Sequence, residues 1–399
     1  MFDPGDPAPT GTDTSRLAWA EAWQQLLHFR GDPIAALSAA SEADDTFVMG
    51  PVFAATYTLL GGSPLDGSVL MTHVARARAR RDRASGRERA HVDALGYLVA
   101  GEFTRAARCW DDIARQGPDF AAIRFAHDVY LHIGDAAGRL SSSRAAVEQW
   151  GDRPGANFVA GQHAFALEEV GRYDEAEDIG RRALDADPDD LWARHALAHV
   201  YESVEDNEAT FALLRDSTDR WHDQDLLATH VWWHLALRLL AVGDIDAALA
   251  IFDERLPHAT TPFRLCDQAS LLWRAELAGF AVGDRWDDLA DRWDGVEERH
   301  VCGFLDLHAA LTFARRPGHP GAARWFDGLA GRSWGDREND RTFAEVVVPL
   351  VEAIRAFGAG DHARVVALID GLGSTTSRIG GSVAQRDLIN LTRAAGAAT

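Results

Sequence analysis

The chain has 399 residues, of which 47% are hydrophobic, enough to build a sizeable core. Its 61 acidic residues outnumber its 40 basic ones, and the net charge of -21 repels nucleic acid and anionic lipid, so we expect neither as a partner. Every basic residue is arginine, which excludes lysine Schiff-base chemistry and is typical of a GC-rich bacterial gene.

The beginning of the chain indicates no targeting segment. Residues 1–15 contain no basic region followed by an apolar run, so we expect a flexible N-terminal tail. No window reaches the roughly 18 uninterrupted apolar residues of a membrane span. The cysteines, Cys109, Cys266 and Cys302, form no C-x-x-C pair, a usage that fits a reducing compartment. We therefore expect a cytoplasmic protein with no membrane partner.

Residues 16–396 have the pattern of one all-α domain. Apolar residues recur at i, i+3 and i+4 nearly throughout. Glycines followed by polar residues mark turns, and Gly101, Gly171 and Gly243 are separated by 70 and 72 residues. These separations are twice about 35 residues, close to the period of tetratricopeptide helix hairpins. The predicted fold is an all-α, TPR-like superhelix, an α-solenoid of antiparallel hairpins.

Three hairpins share one register of small and aromatic residues: Arg87–Phe120, Asn157–Asp190 and Thr229–Pro262. Small residues let two antiparallel helices approach closely, and the aromatic residue fills the gap between neighbouring hairpins. A hairpin that begins at Leu191 and a C-terminal pair around Gly358–Leu372 follow the pattern less closely.

Three irregular stretches lie between the predicted helices. Ser141–Phe158 and Arg315–Gly321 contain Pro, Gly or Ser and predict loops that join hairpins. Arg76–Arg89 is locally basic but includes acidic residues, so it predicts a solvated helix end and loop and not a nucleic-acid patch.

One face of the predicted helix Leu191–Glu202 is polar where a packing stripe is normally apolar. His195, His199 and Glu202 follow one another at spacings of four and three, which places their side chains in one row. Alanine and leucine occupy the other faces, so we expect the imidazoles to face a cavity.

A second predicted helix, Thr229–Leu240, repeats this chemistry 35 residues later with His230, Trp233 and His234. Two helices one repeat apart with similar side chains suggest a shared site, in which Trp233 would stack on a ligand. For His234, as for His127, the simpler alternative is that the imidazole only hydrogen-bonds a backbone carbonyl.

Further candidates come from the C-terminal half. Asp267, Asp306 and His308 add titratable groups of the kind found in acid/base sites. Gly380-Gly381-Ser382 precedes the last predicted helix, where exposed N–H groups and Arg386 would favour an anion. The alternative is a tight turn with Arg386 in a structural ion pair.

These residues leave three functions open. The first is a binding protein for a small polar molecule or short peptide. The second is an enzyme, a hydrolase or isomerase, that uses the histidines and carboxylates as acid, base or metal ligands. The third is a protein-interaction scaffold, and self-association into a homo-oligomer also stays open. We expect no cofactor, the alternative being a transition metal held by His195, His199, Glu202 and His230.

Seven segments follow one another along the chain: RFAHDVYLHIGD (Arg124–Asp135), AFALEEVGRYDEAEDIGRRAL (Ala164–Leu184), WARHALAHVYE (Trp192–Glu202), HVWWHLAL (His230–Leu237), DQASLLWRAEL (Asp267–Leu277), FLDLHAAL (Phe304–Leu311) and IGGSVAQRDL (Ile379–Leu388). In their order, and from about Leu17 to Arg393, they resemble the tetratricopeptide repeat protein 38 family. The resemblance implies an all-helical superhelix and no particular reaction.

The likeness to tetratricopeptide repeats also implies which side chains face inward, because set positions of each hairpin's first helix line the concave surface. These positions hold few of the basic and amide side chains that clamp a peptide carboxylate, so that mode of binding is disfavoured. The inward positions implied in this way include His91, Phe165, Glu168, His195, His199, Glu202, His230 and Trp233.

Overall fold

The structure is a computed structural model of the chain and describes residues 8–222, 225–256, 261–296 and 300–398. Within these ranges the regular secondary structure is helical and contains no strand, which confirms the predicted all-α class. The chain divides into two compact units: the first is Met1–Leu131 with Asp135–Ala228, and the second is His132–Gly134 with Thr229–Thr399. That residues 16–396 form a single domain stays a prediction.

The first unit is a succession of helices in which sequence neighbours pack on each other, as α5 does on α6 and α9 on α10. Its helices are α1 (Asp13–Leu27), α2 (Pro33–Ala43), α3 (Met49–Leu60), α4 (Ser68–Arg80), α5 (Gly86–Val99), α6 (Phe103–Gln116), α7 (Phe120–His132), whose last residue belongs to the second unit, α8 (Ala136–Trp150), α9 (Ala156–Glu168), α10 (Tyr173–Ala186), α11 (Leu191–Ser203) and α12 (Asn207–Leu214).

The predicted turns fall between these helices. Gly101 lies between α5 and α6 with φ of 75°, and Gly171 lies between α9 and α10 with φ of 77°. Both glycines adopt the left-handed conformation that other residues avoid, so they end one helix and let the chain reverse. The predicted hairpins Arg87–Phe120 and Asn157–Asp190 are therefore confirmed.

Helix α11 is central to the first unit because it packs on α9, α10 and α12. Its first turn is capped by Asp190, whose side chain accepts a hydrogen bond of 2.9 Å from the backbone N of Ala193. A Cβ built on Gly180 of α10 would lie 3.0 Å from Leu197, and one on Gly161 of α9 would lie 3.4 Å from Ala193. Small residues thus bring α9, α10 and α11 close together, which positions the polar row of α11 against α9.

The second unit also consists of packed helices, with α15 in contact with α14, α16, α17 and α22. Phe343–Val347 forms a π-helical turn that joins α19 to α20. Its helices are α13 (Asp225–Ala241), which begins in the first unit, α14 (Ile245–Arg255), α15 (Pro262–Leu277), α16 (Arg285–Asp294), α17 (Gly303–Arg315), α18 (Pro320–Ala330), α19 (Glu338–Thr342), α20 (Val348–Gly358), α21 (His362–Leu372) and α22 (Val383–Ala397).

One predicted loop is wrong in extent. The chain is helical to Trp150 in α8 and again from Ala156 in α9, so only the middle of Ser141–Phe158 is irregular. The serines at 141–143 lie in the interior of α8, where Ser143 Oγ is 2.9 Å from His163 Nδ1. Tertiary packing therefore overrides the weak helix propensity of serine.

The N-terminal segment is bound to the first unit over part of its length. Residues 1–7 of the predicted tail lie outside the described residues. From Thr10 onward the chain is held, because Thr10 Oγ1 donates a hydrogen bond of 2.6 Å to Glu88. Helix α1 then begins at Asp13, with Thr12 as its N-cap. None of the helices in the described ranges has both the length and the apolar character needed to cross a bilayer.

Candidate functional site

The histidines of α11 lie side by side in the first unit. Nε2 of His199 is 3.0 Å from Nε2 of His195, and both side chains are buried. Phe165 of α9 stacks on the His195 ring at 5.3 Å and meets the His199 ring edge-on at 5.1 Å. The prediction that the two imidazoles share one helix face is confirmed, and an aromatic ring fixes their orientation.

Glu168, at the C-terminal end of α9, lies beside this pair. Its Oε2 is 3.6 Å from His199 Nδ1, and its Oε1 accepts a hydrogen bond of 3.1 Å from Ser203 Oγ. Burial, and next the charge of Glu169, raise the pKa of Glu168 to about 8. Glu202 is half-buried, and its charge raises the pKa of Glu168 further. A carboxyl group with such a pKa is largely protonated at neutral pH.

Arg139 of α8 is a buried cation that the sequence analysis did not single out. Its Nη2 donates a hydrogen bond of 2.9 Å to Glu169 Oε2, and its Cζ lies 4.7 Å from the centre of the Phe165 ring. Nε and Nη1 of Arg139 are buried and have no hydrogen-bond partner among the described residues. The carboxylate of Glu169 therefore balances the charge of Arg139 but accepts a hydrogen bond from only part of the guanidinium's N–H donors.

His127 of α7 also lies beside Phe165, with the two ring centres 6.1 Å apart. Neither of its ring nitrogens has a hydrogen-bond partner in the described part of the chain, so the interpretation that it caps a backbone carbonyl is wrong. Burial, and then the charges of Arg139 and Arg124, lower the pKa of His127 well below its usual value. The imidazole is neutral at physiological pH.

We call these five residues, Arg139, His127, Phe165, Glu168 and Glu169, the Arg139 cluster. The cluster joins α7, α8 and α9, and all five side chains are buried. It contains one arginine, a neutral imidazole and two carboxyl groups of which one is protonated near neutral pH. Such a set can donate hydrogen bonds to an acceptor and can move a proton.

In the second unit, the predicted residues of α13 and α15 also come together. His230 Nδ1 lies 2.8 Å from Asp267 Oδ1, and His230 Nε2 lies 3.2 Å from His234 Nε2. Trp233 stacks on the His230 ring at 5.0 Å, and Arg274 Cζ lies 5.6 Å from the Trp233 ring. Burial, followed by His230 and Arg274, lowers the pKa of His234 well below its usual value.

Two further candidates of the second unit, Asp306 and His308, form hydrogen bonds to near neighbours along the chain. Asp306 Oδ1 is 2.7 Å from His300 Nδ1, and burial raises the pKa of Asp306. His308 Nδ1 donates a hydrogen bond of 2.8 Å to the carbonyl of Phe304, and burial lowers the pKa of His308 to about 3. Both side chains are buried in α17.

Arg386 closes the turn before α22. Its Nη1 donates hydrogen bonds to the carbonyl oxygens of Gly381 and, at 3.5 Å, of Gly380. Ser382 and Gln385 form a capping box at the start of the helix. The guanidinium is thus engaged by backbone carbonyls, and its predicted role in holding an anion remains a prediction.

The predicted residues come from both units. Glu168, His195, His199 and Glu202 belong to the first unit, and His230, Trp233, His234 and Asp267 to the second. The metal set predicted from sequence takes three residues from the first unit and His230 from the second, and it stays a prediction. Sequence reasoning missed Arg139 and Glu169, which are 30 residues apart and share no local motif.

Part of the chain matches a known repeat family. Residues 159–200 match a tetratricopeptide repeat. They include most of α9, all of α10 and most of α11, the helices that carry Glu168 and the His195–His199 row. The TPR-like helix hairpins predicted from the glycine spacing are therefore confirmed for this region.

Two solved structures are similar over most of the chain. A Rap protein, complexed with the Competence and Sporulation Factor, is 13% identical and has a TM-score of 0.46, with 84% of this chain and 99% of that chain covered. Yeast Tom70 is 12% identical and has a TM-score of 0.45, with 96% of this chain and 88% of that chain covered.

Proposed function

We propose that this TPR-like protein binds a small anionic molecule, such as a carboxylic acid, at the Arg139 cluster. One observation carries the proposal: Nε and Nη1 of Arg139 are buried without a hydrogen-bond partner among the described residues. Buried donors of native proteins are nearly always satisfied, and a buried donor left without an acceptor costs about 1 to 3 kcal/mol, and more when it is charged. An acceptor other than these protein groups is therefore expected at this position.

The neighbours of Arg139 define the chemistry of that acceptor. His127 supplies a second unsatisfied group, and its lowered pKa keeps the ring neutral, with one nitrogen as donor. Phe165 adds an apolar ring that lies near both Arg139 and His127. A molecule with an anionic oxygen and a short apolar body fits these three side chains, since charge-assisted hydrogen bonds to arginine favour carboxylate or phosphate.

Burial favours a small molecule over a short peptide as the ligand. Arg139 and His127 are 1% and 2% exposed, whereas a peptide strand needs an open groove along its length. The plain interaction scaffold uses exposed groove residues and gives no role to a buried arginine, so it is supported less well. Membership of the tetratricopeptide repeat protein 38 family, a bacterial source and a cytoplasmic location stay predictions from the sequence.

Acid/base catalysis is the second candidate, and Glu168 is the observation in its favour. Its pKa is raised to about 8, and its Oε2 lies 3.6 Å from His199 Nδ1. General acids of enzymes are commonly carboxyl groups whose pKa burial has moved toward neutrality. A substrate anion held by Arg139 would then lie within the same cluster as a proton donor.

The experiment that tests the proposed function identifies small molecules released by denaturing protein that was purified under native conditions. Wild-type protein is expected to release an organic anion in near-stoichiometric amount. The double variant Arg139→Gln/Glu169→Gln, which removes both charges, is expected to release at least tenfold less of it. Arg105→Gln, at an exposed arginine that stacks on Tyr97, serves as the control and keeps the ligand.

A binding panel distinguishes the possible sources of the anion. Small carboxylic acids and short peptides with free or amidated C-termini are titrated against wild-type protein. Saturable binding of an acid is the expected result. If neither a released anion nor a binding acid is found, the proposal is rejected; if only peptides with a free C-terminus bind, the ligand class is a peptide.

A further inference from the structure

The two imidazoles of His230 and His234, here called the second-unit histidine pair, converge through the same ring atom. Their Nε2 atoms are 3.2 Å apart. A zinc ion sits about 2.0 to 2.1 Å from an imidazole nitrogen, so an ion bound to both atoms would see them at roughly 100°. This angle lies between those of octahedral and tetrahedral coordination. The spacing therefore suits two neighbouring ligands of one ion.

Asp267 fixes the tautomer that metal binding requires. Its Oδ1 lies 2.8 Å from His230 Nδ1, so this nitrogen carries the proton and donates it to the carboxylate. The lone pair of His230 is then on Nε2, the atom that faces His234. A carboxylate that holds the far nitrogen of a metal-binding histidine is a common feature of zinc sites.

The second-unit histidine pair is also held rigidly. Trp233 stacks on the His230 ring with an interplanar angle of 16° and contacts the His234 ring edge-on at 4.8 Å. Ligands already in position lose little freedom when the ion binds.

The first unit contains the same local construction, here called the first-unit histidine pair. The Nε2 atoms of His195 and His199 are 3.0 Å apart, and the Phe165 ring packs on both imidazoles. His199 Nδ1 again has a carboxyl oxygen nearby, Glu168 Oε2 at 3.6 Å, which is beyond hydrogen-bond distance. Two helices thus present paired Nε2 atoms beside a carboxyl group, and each does so within its own unit.

We propose that the two Nε2 atoms of each histidine pair are ligands of a divalent transition-metal ion, with Asp267 as the positioning residue in the second unit. Imidazole ligands suit Zn²⁺, Ni²⁺ and Cu²⁺, with Cu²⁺ bound most tightly. This inference goes beyond the proposed function, because neither histidine pair includes Arg139 and metal binding does not require the anion.

The test uses full-length protein without a polyhistidine tag. The protein is treated with a chelator, dialysed and titrated with Zn²⁺ by calorimetry, and the metal that survives dialysis is measured by mass spectrometry. Wild-type protein is expected to retain at least one ion per chain. Each of His195→Gln, His199→Gln, His230→Gln and His234→Gln is expected to weaken binding at least tenfold at its pair.

The control is His319→Gln. His319 Nε2 lies 3.0 Å from Asp291 Oδ1, so this residue has a carboxylate partner like that of His230, but it belongs to neither pair. Its variant is expected to bind Zn²⁺ like the wild type. Wild-type protein without bound metal overturns the inference, as does an equal loss in His319→Gln. If Zn²⁺ binding is weakened only in the variants of one histidine pair, the inference is overturned for the other pair.

Asp267→Asn separates positioning from structure. The amide no longer favours the Nδ1 proton, so we expect metal affinity to fall about 10- to 100-fold, while circular dichroism and the melting temperature stay near those of the wild type. Electron paramagnetic resonance of Cu²⁺-loaded wild-type protein, which needs no variant to fold, is expected to show two imidazole nitrogens per ion. Fewer than two would contradict the inference.

Discussion

Arg139 and Glu169 form an ion pair of 2.9 Å in which each side chain is only 1% exposed. Solvent does not screen this pair, so neither partner can lose its charge without a large effect. Glu169→Gln leaves the guanidinium buried without a counter-charge, and we expect the free energy of unfolding to fall by about 3 to 5 kcal/mol. Chemical denaturation of the purified variant measures the change.

The double variant Arg139→Met/Glu169→Gln is the internal control for this pair. It removes both charges, and we expect a smaller loss than the sum of the two single losses. Asp178→Asn breaks the exposed pair of Asp178 and Arg182, whose side chains are 63% and 66% exposed, and should change stability by less than about 1 kcal/mol. If the double variant loses as much stability as the sum of the losses in the two single variants, the expected energetic coupling between Arg139 and Glu169 is contradicted.

Glu168 makes the stability of the protein depend on pH. Burial raises its pKa from 4.5 to about 8 on folding. Between pH 4.5 and about 8, Glu168 is protonated to a greater extent in the folded protein than in the unfolded chain. The stability that comes from this extra proton binding is therefore fully present below pH 4.5 and is lost as the pH rises through about 8. The expected slope is at most about 1.4 kcal/mol per pH unit.

Glu168→Gln, which cannot ionise, should flatten that slope. Urea denaturation across this pH range measures it, and Glu254→Gln, at an exposed glutamate of α14, should retain the wild-type slope. An unchanged slope in Glu168→Gln would show that Glu168 is ionised in the folded protein, and would remove the main support for acid/base catalysis.

Gly358 is required for the packing of α20 on α17. A Cβ at this position would lie 2.6 Å from the backbone oxygen of Ala314, so Gly358→Ala should destabilise the protein by about 1 to 3 kcal/mol. Gly371, within α21, has no atom within 4 Å of its built Cβ. Gly371→Ala should therefore stabilise by roughly 0.5 to 1 kcal/mol through helix propensity. Chemical denaturation of the two variants measures both changes. If Gly358→Ala and Gly371→Ala change the free energy of unfolding equally, the close approach of α20 to α17 is contradicted.

Helix α22 is joined to α15 by a buried hydrogen bond. Trp273 Nε1 donates to Thr392 Oγ1 at 2.9 Å. Thr392→Val keeps the shape of the side chain but leaves the indole N–H without this acceptor, so we expect a loss of about 1 to 3 kcal/mol. Thr72→Val removes the exposed hydroxyl that donates to Ser68, and its melting temperature should match the wild type. If Thr392→Val and Thr72→Val have similar melting temperatures, the hydrogen bond between Trp273 and Thr392 does not make the predicted contribution to stability.

The hairpins were predictable from the sequence because their signals are local. A glycine such as Gly171 can adopt a positive φ that ends a helix, and the spacing of such glycines reports the repeat. The extent of α8 was not predictable, since Ser141–Ser143 have weak helix propensity and are held in the helix by tertiary packing.

The candidate sites were predictable only where one helix supplies both partners. His195 with His199, and His230 with His234, share a face because they are four residues apart. The pairing of Arg139 with Glu169 joins α8 to the end of α9, and no spacing rule connects them. The sequence also cannot show that Arg139 has unsatisfied donors, because that depends on which helices surround it.

The most direct test of the central claim, that the Arg139 cluster holds an anion, is a high-resolution crystal structure of protein as purified. The account predicts density for a small organic anion within hydrogen-bond distance of Arg139 Nε or Nη1 and in contact with Phe165. Protein atoms or ordered water molecules alone at both nitrogens, in crystals soaked with the acids of the binding panel, would contradict it.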